Sequence, residues 1–357
     1  MSRPTAASRL LPITTTSDEA RRRFIAGRHH AFHYQASRAQ GELDAALAAD
    51  PHFVLAYLHR GGMSSPEERG RFFEQARAHR ERVTEDEGRM VDAFHAFLWE
   101  PRVEEAIAIF SELAERYPDD PYLPTYLGLR YLHNLGQPGA AKEQFERARR
   151  RDPDFSQAAF WLGQVALRQD DHDRARQELE TYAELAPDQP RPHDCLGLLC
   201  LHQGLLDDAE SHFRDALERD PTFVESRQNR VRVQVERAQR DLEELVHRRE
   251  FDDVPRFLTT SVSVAGPQGE FLSGPAEVAA HWETMLDPSS SLELEIDELY
   301  LAVEEDLATA LGSYRTVSGD RTLDAGTVMS LWAMTVEGWK IHRSVWSSQA
   351  GPGGDPA

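Results

Sequence analysis

Apolar residues recur every three or four positions along roughly the first two thirds of the chain and alternate with polar ones over much of the last third. The first pattern lays one face of an α-helix on a core, and the second does the same for a strand. Within the helical part, three markers keep a common phase. Leu127-Gly128, Leu162-Gly163 and Leu196-Gly197 stand 35 and 34 residues apart. Ala141, Ala175 and Ala209 are spaced by 34, as are Phe145, Leu179 and Phe213, and Pro153, Pro187 and Pro221. The period predicts a helical hairpin repeated end to end over 121–223. Gly and Ala let the two helices of a hairpin approach closely. The aromatic or Leu is expected to fill the gap to the next hairpin. Proline, which lacks an N–H and disfavours helix in the residue before it, ends the second helix.

Weaker echoes precede this run: Gly27, Ala39, Leu43, Ala46 and Pro51, then Ala106, Phe110, Leu113 and Pro118. Ala39 to Ala106 and Pro51 to Pro118 are each 67 residues, so a degenerate hairpin is expected between them over 54–86. Gly61-Gly62 and Ser64-Ser65-Pro66 would be its turn, and it lacks the Gly and Ala close-packing positions. The array then holds six hairpins over 18–223, at 20–53, 54–86, 87–120, 121–155, 156–189 and 190–223. One hairpin cannot bury its own apolar face, so the set is stable only as a stack. Residues 1–17 read as a flexible lead, with Ser17-Asp18-Glu19 as a helix start. Residues 224–250 read as a capping and connecting helix striped by Val231, Val235, Ala238, Leu242, Leu245 and Val246.

From residue 251 to 348 the grammar changes to an α+β domain. A strand is expected over 260–264 and a turn at Gly266-Pro267 and Gly269. Ser273-Gly274-Pro275 opens a short helix, and antiparallel strands follow over 291–303, 306–318, 321–335 and 337–347. Residues 349–357, rich in Gly and Pro, read as a disordered tail.

In period and residue types the hairpins resemble the tetratricopeptide repeat. In the second domain, Phe251-Asp252-Asp253 with Phe257-Leu258, the Gly-Pro-Ala-Glu-Val-Ala-Ala-His-Trp stretch at 274–282 and the ending Gly338-Trp339-Lys340-Ile341 through Ser347 carry a second resemblance. They are similar to the superfamily of ketosteroid isomerase, SnoaL-like cyclases and nuclear transport factor, and most to its SnoaL-like branch. The fold class expected is therefore an α solenoid followed by an α+β cone with a curved antiparallel sheet.

The second resemblance implies a pocket wrapped by the sheet. Alternation would then turn Tyr314, Asp324, Trp332 and one of His342 or Arg343 inward, joined by Trp282 from the helix. An isomerase of this superfamily needs a carboxylate base and a donor to the enolate oxygen, roles for which Asp324 and Tyr314 are the candidates. Neither matches the family's catalytic motif position by position. The first resemblance implies a groove lined by the first helix of each hairpin. Its candidates are Tyr122, Thr125, Leu129, Leu132 and His133, then Phe160, Gln164, Leu167 and Arg168, then Asp194, Leu198, Leu201 and His202. The Asn and Lys with which such repeats clamp acidic chaperone tails are missing. A mixed apolar groove suits an extended or helical peptide, with basic residues in view of the chain's charge.

Charge narrows the partners. With 61 acidic against 40 basic residues, the net charge is −21, which argues against nucleic acid, since binding it takes a basic face. No stretch approaches the ~20 apolar residues of a membrane span. The first residues lack the apolar core of a signal peptide, so the expected compartment is the cytoplasm. Cys195 and Cys200 would point about 140° apart on one helix, a poor geometry for a disulfide, and read as packing residues. His29 and His33 have the spacing of a two-histidine metal site. No Glu or third ligand accompanies them, so no metal and no cofactor is expected. His193-Asp194 reads as helix capping.

These readings make the chain a non-enzymatic adaptor. Its array takes a protein or peptide, and its second domain takes a small apolar ligand or forms a homodimer. The alternative is an isomerase or cyclase carried on the repeat scaffold.

Overall fold

The computed structural model describes residues 9–32, 35–98, 102–286, 289–302, 306–319 and 321–348. The chain divides into two compact units, Met1–Leu199 and Cys200–Ala357. The first holds the paired helices α1 (Asp18–Phe32), α2 (Ala36–Ala49), α3 (Val54–Gly62), α4 (Pro66–Ala78), α5 (Glu85–Leu98) and α6 (Val103–Arg116). The pairing continues through α7 (Tyr122–His133), α8 (Pro138–Arg151), α9 (Ser156–Leu167) and α10 (His172–Leu185). The next helix, α11 (Pro190–His202), runs across the division. No described helix is long and apolar enough to cross a membrane.

The markers do different work from that expected of them. A Cβ on Gly27 would lie 2.8 Å from Leu43 Cγ, and one on Gly163 3.1 Å from Leu179; one on Gly128 would enter the ring of Phe145. The bulky marker therefore fills the hollow over its own hairpin's glycine, and is not reserved for the next hairpin. Phe145 then also stacks on Trp161 of α9, with centroids 5.8 Å apart. The hairpin at 54–86 is less degenerate than its sequence suggests. Gly61 belongs to α3, where a Cβ would lie 3.1 Å from Phe72 Cβ, and Ala76 is fully buried. The turn is 63–65, with Pro66 opening α4 and the Ser65 hydroxyl accepting from the Glu68 N–H at 3.3 Å. What sets this hairpin apart is length: α3 has 9 residues, and a 3-10 turn at Arg80–Arg82 leads into α5.

The lead, expected to be flexible, is tied down over 9–17. The Thr14 N–H and hydroxyl donate to the two Glu87 oxygens at 2.7 and 2.6 Å. The Thr15 hydroxyl and Thr16 N–H donate to Asp50 at 2.6 and 3.0 Å, and the Leu11 N–H donates to Asp120 at 3.2 Å. All three carboxylates are buried between hairpins. A buried carboxylate without donors is costly, and the lead supplies donors. Residues 1–8 and the tail at 349–357 lie outside the described residues.

Aromatic rings from several hairpins fill the interior of this unit. Phe24, Phe53, His59, Phe94, Phe110 and Tyr126 interlock at centroid distances of 5.0 to 6.2 Å. Burial, with Arg28 nearby, pushes the His59 imidazole down to about 3, so it is neutral beside the Tyr126 hydroxyl at 3.2 Å. The end of α1 closes back on later hairpins. Arg28 lies 3.7 Å above the Tyr122 ring, and Phe32 packs 5.2 Å from Tyr122 and 6.5 Å from Phe155.

The second unit holds α12 (Leu206–Arg219), α13 (Val224–His247), a 3-10 segment at Phe251–Phe257, β1 (Leu258–Ala265), β2 (Phe271–Ser273) and α14 (Pro275–Met285). It ends with β3 (Ser291–Leu301), β4 (Leu307–Ser318), β5 (Arg321–Thr335) and β6 (Gly338–Ser348). The sheet order is β2-β1-β6-β5-β4-β3. The last four strands form the expected meander. The sheet is nonetheless mixed, because β1 runs parallel to β6. A bulge interrupts the pairing of β5 with β6. Leu331 pairs with Arg343 and Trp332 with Ile341, which leaves His342 as the extra residue and inverts the inward phase of β6 beyond it.

Two faces of α13 are buried. Val235, Leu242 and Val246 join the sheet core with Trp332, Trp339 and Ile341, while Val233 packs with Cys200, Leu206 and Phe213. Both cysteines are buried thiols, as packing residues should be.

Candidate functional site

The inward face of the sheet and α14 enclose a cavity of about 630 Å³. Trp282 comes from α14 and Trp346 from β6, with centroids 6.0 Å apart, and Tyr314 of β4 lies 4.8 Å from Trp346. Leu272, Leu286 and Leu292 complete an apolar wall.

Two polar pairs line the cavity. In the first, the Tyr314 hydroxyl donates to Asp324 Oδ2 at 2.8 Å. The Ser348 hydroxyl and the Ala325 N–H donate to Asp324 Oδ1 at 2.6 and 2.9 Å. Burial, then the bond to Asp324, raises the Tyr314 phenol above its ordinary value, so it keeps its proton. Three donors occupy the Asp324 oxygens, and a phenol committed to that carboxylate has no proton free for a substrate oxygen. In the second pair, His281 Nε2 of α14 lies 3.5 Å from Glu270 Oε1, an ion-pair distance without an aligned hydrogen bond. Glu270 is steadied by the Gln268 N–H at 2.9 Å.

Of the six residues expected in the pocket, Trp282, Tyr314 and Asp324 line the cavity, and Trp332, His342 and Arg343 do not. Trp332 faces inward but is buried in the sheet core between Ala308 and Ile341. His342 is the bulge residue and meets the Thr259 hydroxyl at 3.1 Å, while Arg343 donates to the Ser263 hydroxyl at 2.7 Å. Simple alternation along β6 ran through the bulge, which carries Trp346 inward in their stead. His281 and Glu270 were missed because a helix and a strand end meet only in the fold. His281 stands beside Trp282 in the 274–282 stretch, and that was the one local signal.

The groove candidates scatter. Thr125, Phe160 and Asp194 are buried. The Thr125 hydroxyl donates to the Pro121 carbonyl at 2.8 Å, and Phe160 packs on Trp161 and Tyr182. Asp194 lies 3.8 Å from Arg191. Leu132 and Leu201 are buried as well. Tyr122 lies half-buried beneath Arg28, and Leu129, Gln164 and Leu167 are half-buried. Leu198, His133, Arg168 and His202 are exposed, and Arg168 Nη2 comes within 3.4 Å of His133 Nδ1. His29 packs edge-on to His30 at 5.8 Å, and His33, its proposed metal partner, lies outside the described residues.

A tetratricopeptide-repeat family model matches residues 127–190, and a SnoaL-like domain model matches residues 239–343. The chain thus carries a tetratricopeptide array followed by a SnoaL-like domain. It is similar to anaphase-promoting complex subunit 3 of Schizosaccharomyces pombe, 27% identical over 188 residues, which are 52% of this chain and 28% of that protein. The match therefore spans little more than a quarter of that relative's length. Among solved structures, a thermophilic tetratricopeptide protein of Thermus thermophilus is 17% identical, covering 60% of this chain and 98% of that one with a TM-score of 0.39. A cystatin-like domain of unknown function from Nostoc punctiforme is 19% identical, covering 32% of this chain and 75% of that one with a TM-score of 0.30.

Proposed function

We propose that the chain is a protein-interaction adaptor: the array docks a peptide or protein segment, and the SnoaL-like domain holds a small, largely apolar ligand in its cavity. The observation that carries the second part is the Asp324 carboxylate, bound by three donors at 2.6 to 2.9 Å inside a wall of Trp and Leu. Such a wall binds by burial, and its few polar groups orient a ligand without reacting with it. The repeat match supports protein docking, as does the likeness to a subunit named for a multiprotein complex. Titrating small aromatic and alicyclic compounds while following Trp fluorescence tests the cavity. A saturable change that is lost in Trp346→Ala is expected, and a panel without effect would count against it.

A homodimer has one feature in its favour: cross-strand partners Met329 and Val345 both stand exposed on the outer sheet face. Light scattering would decide. The enzymatic reading rests on His281 and Glu270, the acid–base pair with spare capacity, and not on Asp324 and Tyr314. Turnover abolished by His281→Gln would establish it over the adaptor reading.

A further inference from the structure

Glu270 and Asp324 put two carboxylates on the wall of the cavity, and among the described residues that line it there is no Arg or Lys. Residues 287–288, 303–305, 320 and 349–357 of this domain lie outside the described residues, and their sequence holds no Arg or Lys. His281, 3.5 Å from Glu270, is the one lining side chain able to carry a positive charge. Arg249 stands behind the wall, where it donates to the Leu286 carbonyl at 2.9 Å and lies over the Phe251 ring.

Both carboxylates are held by the backbone around them. The Gly266 N–H donates to the Glu270 carbonyl and the Gln268 N–H to Glu270 Oε2, each at 2.9 Å. A Cβ on Gly266 would run into the Glu270 carboxylate, so the glycine leaves room for it. Asp324 is held by Tyr314, Ser348 and the Ala325 N–H, which spread its charge and do not cancel it. Burial and the bond to Asp324 raise the Tyr314 phenol most, and the Glu270 charge adds to them, so both acids act on one ring. The planes of Trp282 and Trp346 cross at 66°, and those of Tyr314 and Trp346 at 59°. The three rings therefore make a corner and not a stack.

A neutral guest would strip water from the carboxylates and return nothing, and an anion would be repelled. A substituted ammonium restores the lost charge interaction, and aromatic rings attract it as well. Leu272, Leu286 and Leu292 suit the carbon body that carries it. We propose that the cavity binds an organic cation, an ammonium group on an apolar body. Its charge faces Glu270 and Asp324, with the rings of Trp282, Tyr314 and Trp346 around it. This deepens the small-ligand reading of the second domain and rests on it.

The test uses the full chain and three compounds that share one body: cyclohexylmethylamine, a cation at neutral pH, cyclohexylmethanol and cyclohexanecarboxylate. None absorbs where Trp is excited, so Trp fluorescence reads all three titrations. The amine should bind about a hundredfold more tightly than the alcohol, about tenfold for each carboxylate, and the acid should bind weakest. Glu270→Gln and Asp324→Asn should each cut the preference for amine over alcohol by about tenfold. Should Asp324→Asn lose the folded Trp emission, Glu270→Gln decides alone. Equal or tighter binding of the alcohol, tightest binding of the acid, or an amine preference that neither substitution reduces overturns the proposal. If none of the three binds while a neutral compound of the aromatic and alicyclic panel does, the cation is refuted and the small-ligand reading stands. If nothing in either set binds, both fall.

Discussion

A Cβ added at Gly128 would enter the ring of Phe145, whereas one at Gly163 would meet only the branched end of Leu179, 3.1 Å away. The two positions are equivalent in the repeat but not in what they tolerate. A ring held between Gly128 and Trp161 has nowhere to go, while a Leu can change rotamer. Helix propensity favours Ala over Gly by about 1 kcal/mol. Gly163→Ala should therefore leave stability within about 1 kcal/mol of the parent, and Gly128→Ala should lose on the order of 1–3 kcal/mol. Urea midpoints would show the difference, and equal midpoints would mean that the ring yields. Glu243 on α13 is a second residue with a measurable sign. Burial raises its carboxyl from 4.5 to about 7, against the Gln239 amide that donates to it at 3.2 Å. The folded state then binds a proton that the unfolded state has released, so stability falls as pH rises from about 4.5 to 7. Glu243→Gln should stabilise the second unit above pH 7 by on the order of 1 kcal/mol and do little near pH 4.5. Thermal melts at the two pH values would check it.

Among the elements, those whose partners lie nearby in sequence were the legible ones. The 34-residue period located the helices from α7 onward, and alternation located β3, β4 and β5 to within a few residues. Alternation failed in β6, where an unpaired His342 inverts the phase and no local residue type marks the bulge. The lead was misjudged for a related reason. Its hydrogen bonds run to Asp50, Glu87 and Asp120, from 34 to 109 residues away, and polar threonines without those acids look like a solvated tail. Burial alone would raise the Asp50 carboxyl, but donors from Thr15, His52 and Thr16 outweigh it and hold it below its ordinary range. This sign is opposite to that of Glu243: the stabilisation is present above the unfolded pKa and is lost as pH falls through the folded one. The Thr16 amide, which donates to Asp50, should carry a high hydrogen-exchange protection factor at neutral pH that falls in acid. Asp50→Ala should release Thr16 at every pH and cost on the order of 1–3 kcal/mol, the penalty for buried donors left unpaired. An unprotected Thr16 amide in the unaltered chain at neutral pH would show that the lead is not held.

At the scale of the whole chain, a net charge of −21 is a sum that says little of local chemistry. Arg130, His133 and Arg168 gather in one place, with Arg168 Nη2 3.4 Å from His133 Nδ1. Only the fold could show this, because the three residues lie on two helices. Three of the six residues expected in the pocket, Trp282, Tyr314 and Asp324, do line the cavity, because these lie on elements whose inward phase is unbroken. Each unit also has an apolar core of its own, interlocked rings such as Phe24, Phe94 and Phe110 in one and Trp332, Trp339 and Ile341 in the other. The chain should therefore not unfold as a single two-state unit. Four of its six tryptophans, Trp282, Trp332, Trp339 and Trp346, lie in the second unit, so Trp fluorescence reports chiefly there, while far-ultraviolet circular dichroism reports chiefly the helices. A Cβ on Gly312 would run into the Glu295 carbonyl of the paired strand, backbone that cannot step aside. Gly312→Ala should therefore move the fluorescence transition to lower urea, and Gly128→Ala the circular dichroism transition. If both substitutions shift both signals equally, the two cores fold as one.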